Sequence, residues 1–291
     1  MPNKDALICF TGNTARAYPL ILNLISSISY EDLFFKRTYT LGDLKDHVND
    51  LFSVLIKTIS ENVEDIHLLR GEARLLFGGW DWEANKFRIW LFKYDKETEK
   101  FIANELTDDD NRTNFYVFIG EAADIDIEQK AQDDLTLKLM EENKLHMRLD
   151  MEPIEILRDI TLDTGIIGVG GSLQVAKVYK SNKTEFFGTY WHSSKGLPYF
   201  QGRKYTEINK PLVRYFNPDT FELLESDLPN ELKEITDEIF GDNKSLIESY
   251  YPDGFLLSAI SEKEKLKLKL IFKDVAYRLF IKKQEQTEIA E

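Results

Sequence analysis

The sequence predicts an α+β layered sandwich, with helix pairs packed on antiparallel sheets. Three observations lead there. The stretch Leu75 to Tyr94, LLFGGWDWEANKFRIWLFKY, alternates apolar and polar residues at its ends around the polar reversal Glu83-Ala84-Asn85-Lys86, which is a hairpin pattern. Two helical patterns stand next to each other before it, not interleaved with strands as a doubly wound fold requires. Further strand-like segments follow it. Within the hairpin, Phe87, Ile89 and Leu91 share one face, and Arg88, Trp90, Phe92 and Tyr94 share the other. Both faces carry large apolar groups, so the sheet is expected to be covered on both sides.

Taken in order, residues 6–10 (ALICF) form a short apolar run suited to a buried strand. Thr11-Gly12-Asn13-Thr14 follows, a turn rich in helix N-cap residues. Ala17, Leu20, Ile21, Leu24, Ile25 and Ile28 then fall on one helical stripe, with Pro19 placed near the first turn, where it is tolerated. Leu44, Val48, Leu51, Leu55 and Ile59 make the apolar face of a second helix over residues 41–60, and Asp43 and Asp46 near its start suit the dipole. Residues 101–104 extend the hairpin. FYVFIG, ending at Gly120, reads as another buried strand. Residues 121–150 are acidic and polar, helical over 129–147, and read as a surface insertion. Residues 153–162 form a short helix. Residues 166–179 (IIGVGGSLQVAKVY) are strand-like but broken by glycines, and residues 186–191 make a further strand. Pro198, Pro211 and Pro218 then punctuate a loop-rich region, with helices expected over 228–240 and 263–283. Two domains are expected: a core over residues 1–192 and a C-terminal extension over 193–291.

A chain of 291 residues can bury a full core as one large domain or two moderate ones. Its formal net charge of −14 argues against a nucleic-acid binder that works through phosphate contacts. Cys9 is the sole cysteine, so neither an internal disulfide nor a cysteine-based zinc site is available. No run approaches the roughly 18–20 apolar residues of a membrane-spanning helix, and MPNKDALICF lacks the apolar region of a signal peptide. The default expectation is a cytoplasmic protein with no membrane partner, no cofactor and no metal.

The order of elements resembles the proteasome β-subunit family of N-terminal-nucleophile hydrolases. It is most similar to the bacterial proteasome-like peptidase subunit that works with an ATP-dependent unfoldase. The residues that carry the resemblance are ICFTGNTARAY, where a strand feeds through a Gly-containing turn into the first helix, then LLFGGWD, FYVFIG, PIEILRDI and GGSLQVAKVY, over about residues 6–180. The resemblance implies an αββα four-layer sandwich, a homo-oligomer and hydrolysis of peptide or amide bonds by an N-terminal threonine. It also implies an acidic residue and a lysine on the next two strands. Such a nucleophile needs a chain terminus because the free α-amino group serves as its base. Only Met1 to Asp5 precede ALICF here, which leaves no room for those strands, and the sequence departs from the family pattern at Glu121 and Val169. Two readings stay open: a start set too far downstream, or a non-catalytic scaffold or interaction protein on the same fold, with the C-terminal extension supplying a partner surface. A third is an amidohydrolase acting on a small substrate.

Under the resemblance, Gly12 and Asn13 would offer backbone N–H groups near an oxyanion hole, where such donors are worth about 3–4 kcal/mol; as plain sequence they make a helix-entry turn, with Thr14 as a cap. Cys9 becomes a nucleophile only after self-cleavage and otherwise reads as a small buried hydrophobe. Pro2 could supply a terminal amine base, with nothing around it to build a pocket. His47, His67, His146 and His192 lack metal-ligand spacing. Asp108-Asp109-Asp110 reads as a solvated loop. Gly168-Val169-Gly170-Gly171 lacks the Lys-Ser/Thr of a phosphate loop and reads as a site of close backbone packing. Trp80 and Trp82 straddle Asp81. On a continuous strand both rings point to one face, where they pack in the core, line a groove or make an inter-subunit contact.

Overall fold

The computed structural model describes residues 6–30, 39–58, 66–106, 116–120, 125–145, 147–166, 168–181, 183–224, 241–252, 256–257 and 260–290. The fold is mixed α/β with open sheets. The chain divides into two compact units, Met1–Ile156 with Lys177–Glu185, and Leu157–Ala176 with Phe186–Glu291.

In the first unit, β1 (Ala6–Gly12) leads into α1 (Thr14–Tyr30), α2 (Leu41–Leu55) and the short α3 (Ile66–Gly71). β2 (Ala73–Asp81), β3 (Lys86–Asp95) and β4 (Lys100–Glu105) follow. They form one sheet in the order β1-β2-β3-β4. Every pairing is antiparallel: Ile8 opposes Phe77, Phe77 opposes Trp90, and Phe92 opposes Ala103. Residues opposite one another in such a ladder share a face. One face therefore collects Ile8, Phe10, Leu75, Phe77, Trp90, Phe92 and Phe101, and these pack with Leu20 and Leu24 of α1 and Leu44, Val48 and Phe52 of α2 as one core. Phe52 meets the rings of Phe92 and Phe101 edge-on.

The start of α2 is fixed by a capping box. Thr40 accepts from the Asp43 amide at 3.0 Å, and Asp43 accepts from the Thr40 amide at 2.7 Å. The helix ends at Leu55 and continues to Thr58 as a 3₁₀ turn. Pro19 lies inside α1, beyond its first turn.

Of the expected strand FYVFIG, residues 116–120 carry no regular structure, and Phe115 lies outside the described residues. The polar backbone groups of Gly120 are bound to side chains instead of a ladder. Its amide donates to the Glu128 carboxylate, and its carbonyl accepts from Arg74 at 3.3 Å. Glu128 belongs to α4 (Ile125–Glu141). That helix stops earlier than expected because Asn143 takes a left-handed φ of 55° and the Lys144 amide returns to the Leu139 carbonyl at 2.7 Å. α5 (Glu152–Leu162) follows.

Of residues 166–179, only β5 (Val175–Tyr179) is strand; Gly168 and Gly171 adopt φ of 103° and 89° ahead of it. An added Cβ at Gly168, Gly170 or Gly171 would meet nothing within 4 Å, so these glycines serve backbone turning and not close packing. β5 pairs with β6 (Lys183–Trp191). In the second unit β7 (Leu197–Phe200), β8 (Arg203–Lys204), β9 (Tyr215–Phe216) and β10 (Leu223–Leu224) complete a sheet in the order β10-β9-β6-β7-β8, with β9 parallel to β6. α6 (Lys244–Tyr250) and α7 (Glu262–Ala290) follow. The core of this unit joins Ile247 and Tyr251 to Leu268, Phe272 and Val275 of α7. Among the described residues no helix is long and apolar enough to cross a membrane. The helix expected over 228–240 lies outside the described residues.

Candidate interaction surface

Strand alternation gives the four-stranded sheet a second, outer face. Its registers place Leu7, Gly78 and Ile89 in one row, and Cys9, Leu76, Leu91 and Asn104 in the next. Trp80 opposes Phe87, and Lys93 opposes Ile102. Leu91 is buried, but Phe87 is 49% exposed and Ile102 40% exposed. Cys9 is exposed, while Leu7, Leu76, Trp80 and Ile89 are half-buried. α1 and α2 cover the inner face, while on the outer face Arg74 is buried and paired with Glu128 of α4, a helix whose Ala131, Leu135 and Leu139 are themselves buried. The expectation of a sheet covered on both sides therefore holds only in part for the outer one: Leu91 and Arg74 are buried there, while Cys9, Phe87 and Ile102 stay exposed.

The outer face has a built edge. Trp80 and Phe87 meet edge-on with centroids 4.9 Å apart, and the Lys180 ammonium stands 5.2 Å over the Trp80 ring. Trp82 does not join them. β2 ends at Asp81, which turns the chain by accepting from the amides of Glu83 at 3.0 Å and Ala84 at 3.2 Å. Trp82 is thus in the turn, 47% exposed, and the shared-face expectation for the two tryptophans is corrected by that Asx turn.

Behind the turn, on the inner face, sits a charge cluster that the sequence did not single out. Arg88 donates to Asp81 at 3.0 Å and grips both oxygens of Glu105, with its guanidinium 4.6 Å from the Trp90 ring centre. Burial alone would push the Asp81 carboxyl up; Arg88 and the two turn amides outweigh it and hold it below its usual range. Glu105 is held low chiefly by its hydrogen bonds from Arg88. Every arm of this cluster is engaged, and it locks the hairpin end.

The remaining sequence candidates lie apart. Gly12 adopts φ of 89°, and a Cβ there would stand 1.9 Å from the Glu72 carbonyl oxygen, so only glycine fits. The Asn13 amide donates to that same carbonyl at 3.2 Å, and the Asn13 side chain caps α1 by accepting from the Ala15 amide at 2.9 Å. The cap is therefore Asn13, not Thr14, which is exposed in the first turn. Cys9 is exposed on the outer face because its position in the ladder alternates with buried-side Ile8 and Phe10; the buried-hydrophobe expectation is corrected. His47 meets Ser27 at 2.8 Å, His67 meets Tyr94 at 3.0 Å, and His192 is exposed. Among the described residues no three His, Cys, Asp or Glu side chains group as metal ligands. Pro2, His146 and Asp108 to Asp110 lie outside the described residues.

The second unit holds a polar knot with no sequence signal. Lys210, 4% exposed, donates to Tyr190 and Glu207, each at 2.7 Å, and its ammonium stands 5.0 Å over the Tyr215 ring. Burial alone would lower the Lys210 pKa; Glu207 and Tyr190 outweigh it and hold it above the usual value. Tyr215 itself lies where any Cβ on Gly188 would intrude, 2.2 Å from its ring. The knot fills space and satisfies its own donors, which is a structural arrangement.

Compared with known proteins, the chain matches no family model and no curated protein.

Proposed function

We propose that this chain is a non-catalytic scaffold or interaction protein on a proteasome-like layered framework, and that the outer face of its four-stranded sheet is the contact surface. The observation that carries the reading is the partly exposed apolar set of Cys9, Trp80, Phe87, Ile89 and Ile102 on that face. The occupant is a second copy. The exposed apolar residues of this face are covered when it packs on the same face of a second copy. Two copies related by a two-fold axis would each bury the other's exposed outer residues. Such a pairing is a homo-oligomer without cofactor, and it suits a cytoplasmic protein.

Cys9 is the only cysteine and lies on the face in question, so it reports on the contact directly. Its reaction with a maleimide should slow as protein concentration rises, because the assembled face excludes the reagent. A rate constant independent of concentration over the micromolar range would remove the reading.

One observation favours hydrolysis as a second reading. β1 runs through Gly12 into the Asn13-capped α1, as the strand-to-helix element of N-terminal-nucleophile hydrolases would. Turnover of fluorogenic peptides by the purified chain, lost on Gly12→Val, would replace the scaffold reading with that one.

A further inference from the structure

α7 presents two apolar stripes. Leu268, Ile271, Phe272 and Val275 are buried in the core of the second unit. At about 100° per residue, Leu266, Leu270, Tyr277 and Phe280 fall on the opposite side. These four are 60%, 60%, 64% and 58% exposed. A solvent-facing helix side is ordinarily polar. Here it carries a second seam with the 4-3 spacing of a helix-pairing surface, in which Lys273 occupies the one remaining position between Leu270 and Tyr277.

The charges along the seam between Leu266 and Phe280 are one-sided. Among the described side chains the helix's acids are engaged: Glu262 pairs with Lys265 at 2.8 Å, Asp274 with Arg278 at 2.7 Å, and Glu264 accepts from the Ser261 amide at 2.8 Å. Lys263, Lys267, Lys269 and Lys273 have no carboxylate within ion-pair distance among the described residues. They line the exposed seam in a chain whose formal net charge is −14.

We infer that α7 is a docking surface for an acidic amphipathic helix of a partner protein, a surface separate from the sheet face. Leucines or similar residues of the partner would fill the seam between Leu266 and Phe280, and its glutamates would face the four lysines. Charge complementarity selects this occupant. An antiparallel pair of α7 helices centred on the seam would set Lys273 against Lys273, and a parallel pair would set every lysine against its own copy. An anionic bilayer would attract the lysines but meet the acidic remainder of the chain. A single helix senses only charges within about a Debye length, roughly 8–10 Å, and so meets the basic stripe alone. A lysine inside an apolar seam also calls for a facing carboxylate, and such a polar position fixes register.

The test uses the full chain and two fluorescein-labelled synthetic helical peptides of three heptads. Both have leucine at the seam positions; one has glutamate at the flanking positions, the other lysine. By fluorescence anisotropy the acidic peptide should bind at least tenfold more tightly than the basic one. Reversing Lys263, Lys267, Lys269 and Lys273 to glutamate should reverse that preference. A second variant, Leu270→Glu with Tyr277→Glu, alters only exposed positions, and it should abolish binding of both peptides while leaving the thermal melt unchanged. Equal affinity of the wild-type chain for the two peptides would overturn the inference, as would a charge reversal without effect. Equally contrary results are co-sedimentation with phosphatidylserine vesicles that the charge reversal abolishes, and a dimer that dissociates when the seam is mutated.

Discussion

The two faces of the four-stranded sheet come from the same strands and carry similar apolar side chains, yet they are treated differently. On the inner face, Phe92 and Phe101 are essentially inaccessible under the rings and leucines of α1 and α2. On the outer face, Phe87 and Ile102 keep 49% and 40% of their surface. Alternation along a strand decides which face a residue joins, but what covers that face is decided elsewhere in the chain. Apolar side chains that nothing in the sheet's own unit fully covers are consistent with a contact surface.

The largest contrast should come from truncating one ring on each face. Phe92→Ala opens a cavity between Phe52 and Phe77, and should cost about 3–5 kcal/mol in a urea titration followed by tryptophan fluorescence. A loss below about 1 kcal/mol would mean that the inner face is not the packed one.

A smaller effect belongs to the polar end of the inner face. Arg88→Met leaves Asp81, 2% exposed, with only its turn amides as partners, and should cost about 2 kcal/mol near neutral pH. Asp81 and Glu105 are both held below their usual range. Their contribution is therefore complete above the unfolded carboxylate value of about 4 and is lost as pH falls through the lower folded values. The difference in stability between wild type and Arg88→Met should shrink as pH drops below about 4. A difference that stays constant down to pH 2 would remove the ion pairs from the account.

Next in size is the cap that sets the helix over the inner face. Thr40→Ala removes the hydroxyl that accepts from the Asp43 amide and should cost about 1 kcal/mol, detectable as a lower melting temperature. The smallest effect on folding should come from Phe87→Ala, which is expected to stay within about 0.5 kcal/mol in dilute solution, since half of that ring is already in water.

Much of this contrast could be read from the chain. The period of two in FRIWLFKY identified β3 and its two apolar faces, and the stripes in residues 15–28 and 41–60 identified α1 and α2. That signal is local. The mismatches arose where long-range partners compete for the backbone. Gly120 gives its amide to Glu128, and residues 116–120 form no strand. Asp81 turns the chain one residue before the alternation of Trp80 and Trp82 could continue. Cys9 looked buried because ALICF is uniformly apolar, and such a run does not say which of its two faces is covered. The knot around Lys210 was illegible because Tyr190, Glu207 and Tyr215 meet it only through tertiary folding.

The most direct test is sedimentation equilibrium of the wild-type chain beside a Phe87→Asp, Ile102→Asp double variant. The wild type should approach twice its monomer mass as concentration rises. The variant should stay at monomer mass with an unchanged circular dichroism spectrum. A wild-type chain that sediments as a monomer at every concentration, or a variant that associates as well as its parent, would contradict the claim that the outer face of the sheet is where this protein makes its contact.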